Sequence, residues 1–194
     1  MRIEIRSDSV LLDGYVNAVG RDSKPVITPK GKVVEMIEPK AFQDALDSTD
    51  NVDMLLDHDK NRKLGNTKDG SIELYEDNIG LRVIATITDP EVIQDAKNKK
   101  LKGWSFAMKV VKDYIEERAE QIPRRHIKKL KLFEVSLIKR LSPVYAGTLI
   151  EQRAEEEEIT EHRGDEFRAV IVDESTQIDY SEYEARLNKI KANK

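Results

Sequence analysis

The sequence predicts an α+β fold that is mainly β, with a charged C-terminal extension, and three observations carry that prediction. Short segments alternate apolar and polar residues between turn formers, two amphipathic stretches each begin at a proline, and no apolar run is long enough to span a membrane. A chain of 194 residues has room for one sizeable core and an appendage.

Taken in order, residues 10–19, 53–58, 71–75, 81–87, 103–111 and 130–138 read as strands. The N-terminal MRIEIRSDSV mixes charge with apolar residues, unlike a signal peptide, so a soluble protein with no membrane partner is expected. Helices are expected over 39–46, with Pro39 at the first helical position, and over 90–97, where Asp89 caps and Pro90 opens. Residues 112–129 contain YIEERAEQIPRRHIKK, interrupted by Pro123, and read as a mobile charged excursion bordering a site, outside the core.

Composition limits the chemistry. Hydrophobic residues are 39% and charged residues 36%, a globular composition with an unusually charged surface or tail. The absence of cysteine excludes a disulfide framework, a thiolate metal site and a cysteine nucleophile, and suits a reducing cytosol. Residues 1–150 hold 26 Lys+Arg and 24 Asp+Glu, a balance of +2, whereas 151–194 hold 7 and 13, a balance of −6. A body so near neutrality lacks the basic face of a duplex-binding domain, so no specific nucleic acid partner is expected.

The shift after Ile150 places a domain boundary there, between a body of 1–150 and an extension of 151–194. EQRAEEEEITEHRGDE reads as an exposed helix or a disordered linker. Beyond it, FRAVIV at 167–172 reads as a lone strand, and Ser181-Glu-Tyr-Glu as a capping box opening a terminal helix with Tyr183, Leu187 and Ile190 on its apolar stripe. Such a piece buries no core alone and needs a partner or the body.

Three segments carry residues suited to chemistry. In NVDMLLDHD, strand alternation puts His58 at the end of the apolar row Val52, Met54, Leu56, where it reads either as a partly buried structural histidine or as a base at the sheet rim. In LKGWSFAMKV, Trp104, Phe106, Met108 and Val110 share one face while Gly103, Ser105 and Ala107 share a bare one. That bare face gives a nucleophilic serine an open approach, or gives a helix a close-packing surface. In LKLFEVSLI, Glu134 lies between Leu132 and Ser136 on a strand apolar enough to be buried, so its carboxylate needs an imidazolium or a lysine beside it. Nucleophile, base and acid on three strands form a plausible serine hydrolase. A metal site of Asp57, His58 and Asp59 is disfavoured because neighbouring strand residues alternate faces.

The ordered motifs Gly14-Tyr15, Glu35-Met-Ile-Glu-Pro-Lys-Ala-Phe, Leu56-Asp-His-Asp, Leu64-Gly65, Gly80-Leu81, Gly103-Trp-Ser-Phe and Phe133-Glu-Val-Ser-Leu resemble the prohead proteases of tailed phages, a family related in fold to the herpesvirus capsid-assembly protease. The resemblance covers nearly all of the body and none of the extension. It implies a distorted antiparallel β-barrel with flanking helices, and a serine endopeptidase with Ser105 as nucleophile, His58 as base and Glu134 as third member. The herpesvirus relatives place a second histidine third, which makes His126 the alternative; His162, in the acidic extension, is a poorer one. Oxyanion donors would be backbone N–H groups near Ser105, or Arg124 or Arg125.

The resemblance further implies cleavage of phage capsid or scaffold segments and of the protease itself, inside an assembling prohead in the bacterial cytoplasm, without a cofactor. A homo-oligomer is one state it allows. The extension would then be a removable anchor, or FRAVIV would lie in the cleft as a self-substrate. A non-enzymatic capsid-assembly module with the same fold is the competing reading.

Overall fold

The structure, a computed structural model, describes residues 1–28, 31–139, 150–152, 159–166 and 169–175. The strands are β1 (Arg2–Ile5), β2 (Val10–Ala18), β3 (Val26–Thr28), β4 (Gly31–Ile37), β5 (Asp53–Leu56), β6 (Asp59–Asn66), β7 (Ile72–Glu76), β8 (Gly80–Ile87), β9 (Gly103–Glu116), β10 (Arg124–Ile138), β11 (Ile150–Gln152), β12 (Ile159–Glu166) and β13 (Val170–Asp173). One sheet runs β13-β1-β2-β8-β7; the other runs β11-β12-β9-β10-β4-β3, with β5 on β10 and β6 on β5.

The larger sheet curls as a half-barrel. Among the described residues the pairings form two open paths, mostly antiparallel with β1–β13, β10–β4 and β10–β5 parallel, so the expected distorted antiparallel barrel is met as a mainly β fold with a half-barrel sheet. Ile3, Leu12, Leu81 and Val83 of the first sheet meet Trp104, Phe106, Met108 and Val135 of the second in one core. Phe42 of helix α1 (Ala41–Asp47) reaches that core with its ring edge against Phe106, and Val92 and Ala96 of α2 (Pro90–Lys97) reach it from another side.

Both helices lie where proline announced them, with one difference. Asp89 caps α2 through Oδ1, which accepts from the N–H groups of Glu91 at 2.9 Å and Val92 at 3.0 Å, and Pro90 occupies the first turn as expected. In α1, Pro39 precedes the helix and Lys40 is the N-cap, at φ 76°. Its side chain makes no capping bond. The Glu76 carboxylate on β7 takes over, accepting from the N–H groups of Lys40, Phe42 and Gln43 at 2.5, 2.9 and 3.1 Å.

The 112–129 segment is no mobile excursion. β9 and β10 pair through it in one long hairpin, from Gly103↔Ile138 to Glu116↔Arg124, with Ile127 and Leu130 buried. Its charges face one another across the ladder: Arg125 pairs with Asp113 at 2.5 Å and Arg124 with Glu116 at 3.1 Å.

After Ile150 the described strands join the body. Residues 159–166, expected as helix or linker, add as β12 to the free edge of β9, and 170–173 add as β13 to β1. The expected strand at 167–172 is thus partly met, since residues 167–168 lie outside the described residues, as do the Glu155–Glu158 block and the expected terminal helix.

Candidate active site

β9 inserts Trp104, Phe106 and Met108 into the core, so Ser105 and Ala107 face the opposite side. Both are buried as well, so the bare face, read as an open approach or a close-packing surface, is covered. Ser105 pairs with Ser136 of β10 on one side and Gly164 of β12 on the other.

Glu134 reaches the Ser105 face because of a β-bulge. Leu132 pairs with Met108, but Glu134 pairs with Ala107, so one extra residue, Phe133, is inserted between them. Strict alternation would leave Glu134 on the face of Leu132, which lies in the core. The bulge turns Glu134 and Ser136 together onto the face of Ser105.

His58 is not the last residue of a strand. Asp57 and His58 form the two-residue loop of a hairpin closed by Leu56↔Asp59, with φ of 52° and 61°. Two consecutive positive φ values are those of a type I′ turn, which favours Asn-Gly; Asp and His there cost about 1 kcal/mol or more each. β10 holds the turn in place. Asp57 N–H donates to Leu137 O at 2.9 Å, Lys139 N–H donates to Asp57 Oδ1 at 2.8 Å, and His58 N–H donates to Ser136 Oγ at 3.2 Å.

Lys139 is itself fixed from α2 by Asp95 at 3.0 Å and by Glu91. The Lys139 ammonium and the Arg62 guanidinium hold the Glu91 carboxyl down at about 2.

The turn swings the imidazole from the Met54 face to the Ser105 face. There its Nδ1 lies 2.7 Å from Glu134 Oε1 and its Nε2 lies 2.7 Å from Ser105 Oγ. The second carboxylate oxygen, Oε2, accepts from Ser136 Oγ at 2.6 Å. Ser136 is fully buried and ties two of these groups together, a role that its place beside Glu134 in the sequence does not reveal.

Other sequence candidates lie elsewhere. His126 pairs in register with Tyr114, near the opposite end of β10, stacks on that ring at 4.3 Å, and places its two ring nitrogens 2.7 Å from Glu38 and 2.8 Å from Glu116. Its contact lowers the Glu116 carboxyl below the usual range.

Arg124 binds Asp22 at 2.6 Å, holding that carboxyl low, and Arg125 binds Asp113 and Glu35. Asp59 Oδ1 accepts from Asn61 N–H at 2.9 Å and Asp57 Oδ1 from Lys139 N–H at 2.8 Å, and among the described residues no three His, Asp or Glu side chains are grouped to hold a metal ion.

One contact was not expected. The carbonyl oxygen of Arg163, on β12, accepts from Ser105 Oγ at 2.6 Å. FRAVIV, considered for the cleft, instead sends Val170–Val172 to β1, and the segment beside Ser105 lies a few residues earlier.

A hydroxyl, an imidazole and a carboxylate bonded in series belong to the class of constellations that carry out acyl transfer. Comparison with known families places the molecule more closely: residues 1–163 match the model of the caudovirus prohead serine protease, and the chain belongs to that family. No curated protein and no solved structure matched. The protein is therefore a serine peptidase of phage capsid maturation. No helix among the described residues is long and apolar enough to cross a membrane.

Proposed function

We propose that Ser105 is the nucleophile of this peptidase, His58 its general base and Glu134 the carboxylate that orients the imidazole. The observation that carries the reading is the serial hydrogen bonding from Ser105 through His58 to Glu134, at 2.7 Å in each step. Glu134 accepts the Nδ1 proton, which leaves the Nε2 lone pair toward Ser105. His58 takes the hydroxyl proton as Oγ attacks a scissile carbonyl and returns it to the departing amine; water then hydrolyses the acyl-enzyme. Ser136 acts through Glu134 and the His58 backbone, so it is a positioning residue.

The substrates are capsid or scaffold segments within the prohead and the protease's own chain, with the extension after Ile150 as the removable part. A strand of that extension already lies along β9, which supports self-processing. A serine-directed phosphonate should label the wild type and leave Ser105→Ala and His58→Ala unlabelled. Equal labelling of all three folded proteins would refute the assignment.

A further inference from the structure

β12 runs antiparallel along β9 with Gly164 opposite Ser105. Backbone pairing of this kind is how an extended peptide is held at a sheet edge, with side chains read by pockets. The residue whose carbonyl touches the serine is Arg163, and its guanidinium is nearly buried, with 12% of the side chain exposed. Its Nε donates to Glu35 Oε2 at 2.5 Å and its Nη2 to Glu35 Oε1 at 2.8 Å, a bidentate pair with a carboxylate only 4% exposed.

Glu35 also receives Arg125 at 3.0 Å, and Arg125 is shared with Asp113 at 2.5 Å. Arg163 adds a second guanidinium to Glu35, which Arg125 already approaches. A buried carboxylate with half a share in one cation strongly favours a second.

We propose that Glu35 is the specificity-determining carboxylate of the peptidase: it takes the basic side chain of the residue on the acyl side of the scissile bond, and Arg163–Gly164 is the bond it presents in this chain. The inference rests on Ser105 being the nucleophile. Ser105 now donates to the carbonyl oxygen, a waiting pose. Attack requires that peptide plane to turn until the carbonyl carbon lies about 3 Å from Oγ.

In the reaction the Oγ–C bond forms as the Oγ proton passes to His58 Nε2. The bond from the Arg163 carbonyl carbon to Gly164 N then breaks and the nitrogen receives that proton. Water next replaces Oγ, leaving an Arg163 carboxylate and restoring the Ser105 hydroxyl.

The test uses the full-length protein. Its intact mass is followed with time, and it is also assayed on the peptide ITEHRGDEFR and on versions with Lys, Gln, Ala or Glu in place of the first arginine. The wild type is expected to release a fragment beginning at Gly164. Arg163→Lys should do so within about 10-fold of the wild-type rate and Arg163→Ala about 100-fold slower, since a charge-assisted bond to a buried carboxylate is lost.

The peptides should rank Arg, Lys, then Gln and Ala about 100-fold lower in kcat/KM, with Glu uncut. Glu35→Gln should lose most of the preference for arginine; should that variant not fold, the peptide ranking decides. A flat ranking, or unchanged processing of Arg163→Ala, overturns the role of Glu35 while leaving the nucleophile standing. Cleavage by Ser105→Ala, or a wild type inert toward every peptide, overturns the catalytic reading and this inference with it.

Discussion

Replacing Glu134 with glutamine tests the relay at its least visible joint. The carboxylate accepts twice, from His58 Nδ1–H at Oε1 and from Ser136 Oγ at Oε2, whereas an amide has one acceptor and one donor. Ser136 Oγ accepts from His58 N–H and donates to residue 134, and keeping that donation in the variant places the amide oxygen toward Ser136. The NH2 then meets Nδ1, the ring proton moves to Nε2, and the lone pair aimed at Ser105 is lost.

A wrong tautomer of this kind costs about 10³–10⁴-fold in kcat. Ser136→Ala alone strips a partner from a buried carboxylate oxygen and from an amide, costing about 2–4 kcal/mol of stability and about 10-fold in rate. The double variant frees the amide to flip, so that its oxygen again accepts from Nδ1–H. It should therefore recover about 10-fold or more relative to Glu134→Gln alone. Rates of phosphonate labelling and peptide cleavage, with thermal melts to establish folding, measure the cycle. A double variant as slow as the product of the two single effects refutes the reasoning, and a fully active Glu134→Gln refutes the role of the carboxylate.

Other perturbations read the supports. Asp57→Ala keeps a positive φ without the acceptor for Lys139 N–H, and is expected to lower stability by about 1–3 kcal/mol and kcat more than KM; unchanged kcat would mean that the turn does not set the imidazole. Gly80→Ala sets a Cβ 2.0 Å from Asn17 O and 2.7 Å from Ala18 Cα, so β2 and β8 must separate; a fall of about 3 kcal/mol or more in denaturant unfolding is expected, and a neutral result would show the strands yielding freely. Glu91 has a folded pKa of about 2 against an ordinary 4.5. A depressed carboxyl contributes stability above its unfolded pKa and loses it as pH falls through the folded one, so the contribution fades between about pH 4.5 and 2. Glu91→Gln should flatten the melting temperature over that window, and an unaltered acid limb would count against the Lys139 clamp.

Much of the fold was legible because burial imposes period. The six predicted strands and the α2 cap follow from local alternation and from Asp89-Pro90, and the structure realises them with shifted ends. What the sequence hid involves residues far apart along the chain. Nothing near Lys40 reveals that Glu76 caps α1, and the charged 112–129 run reads as loop until its charges are seen facing across a hairpin.

The residue types of the candidate site were legible, yet alternation would have sent its parts to different faces from the ones they occupy. His58 belongs with Met54 by period and Glu134 with Leu132; a type I′ turn built from unlikely residues corrects the first and an extra residue at Phe133 corrects the second. Asp-His carries no turn signature, and Leu-Phe-Glu carries no bulge signature. β12 was hidden for a different reason. Its residues are polar and gain order by pairing with an edge already formed.

The contact between Ser105 and Arg163 bears on how such an enzyme stays quiet while its capsid assembles. Ser105 has one hydroxyl proton and two neighbours, His58 Nε2 at 2.7 Å and the Arg163 carbonyl at 2.6 Å. A proton donated to the carbonyl is not available to Nε2, and general-base catalysis begins with that transfer. A backbone carbonyl in this position therefore opposes attack until its plane turns, even though the same strand places the bond beside the nucleophile. Glu35 holds the arginine side chain while the neighbouring carbonyl takes the Ser105 proton, so tight side-chain recognition and a dormant hydroxyl coexist in one pose. The strain in the Asp57-His58 turn fits this arrangement, because the imidazole is fixed by backbone bonds to β10 and does not depend on the extension for its place. On the proposed cleavage, residues 164–166 separate from the rest of β12, and once the remaining half of that strand leaves, the edge of β9 would receive another extended segment with a basic side chain.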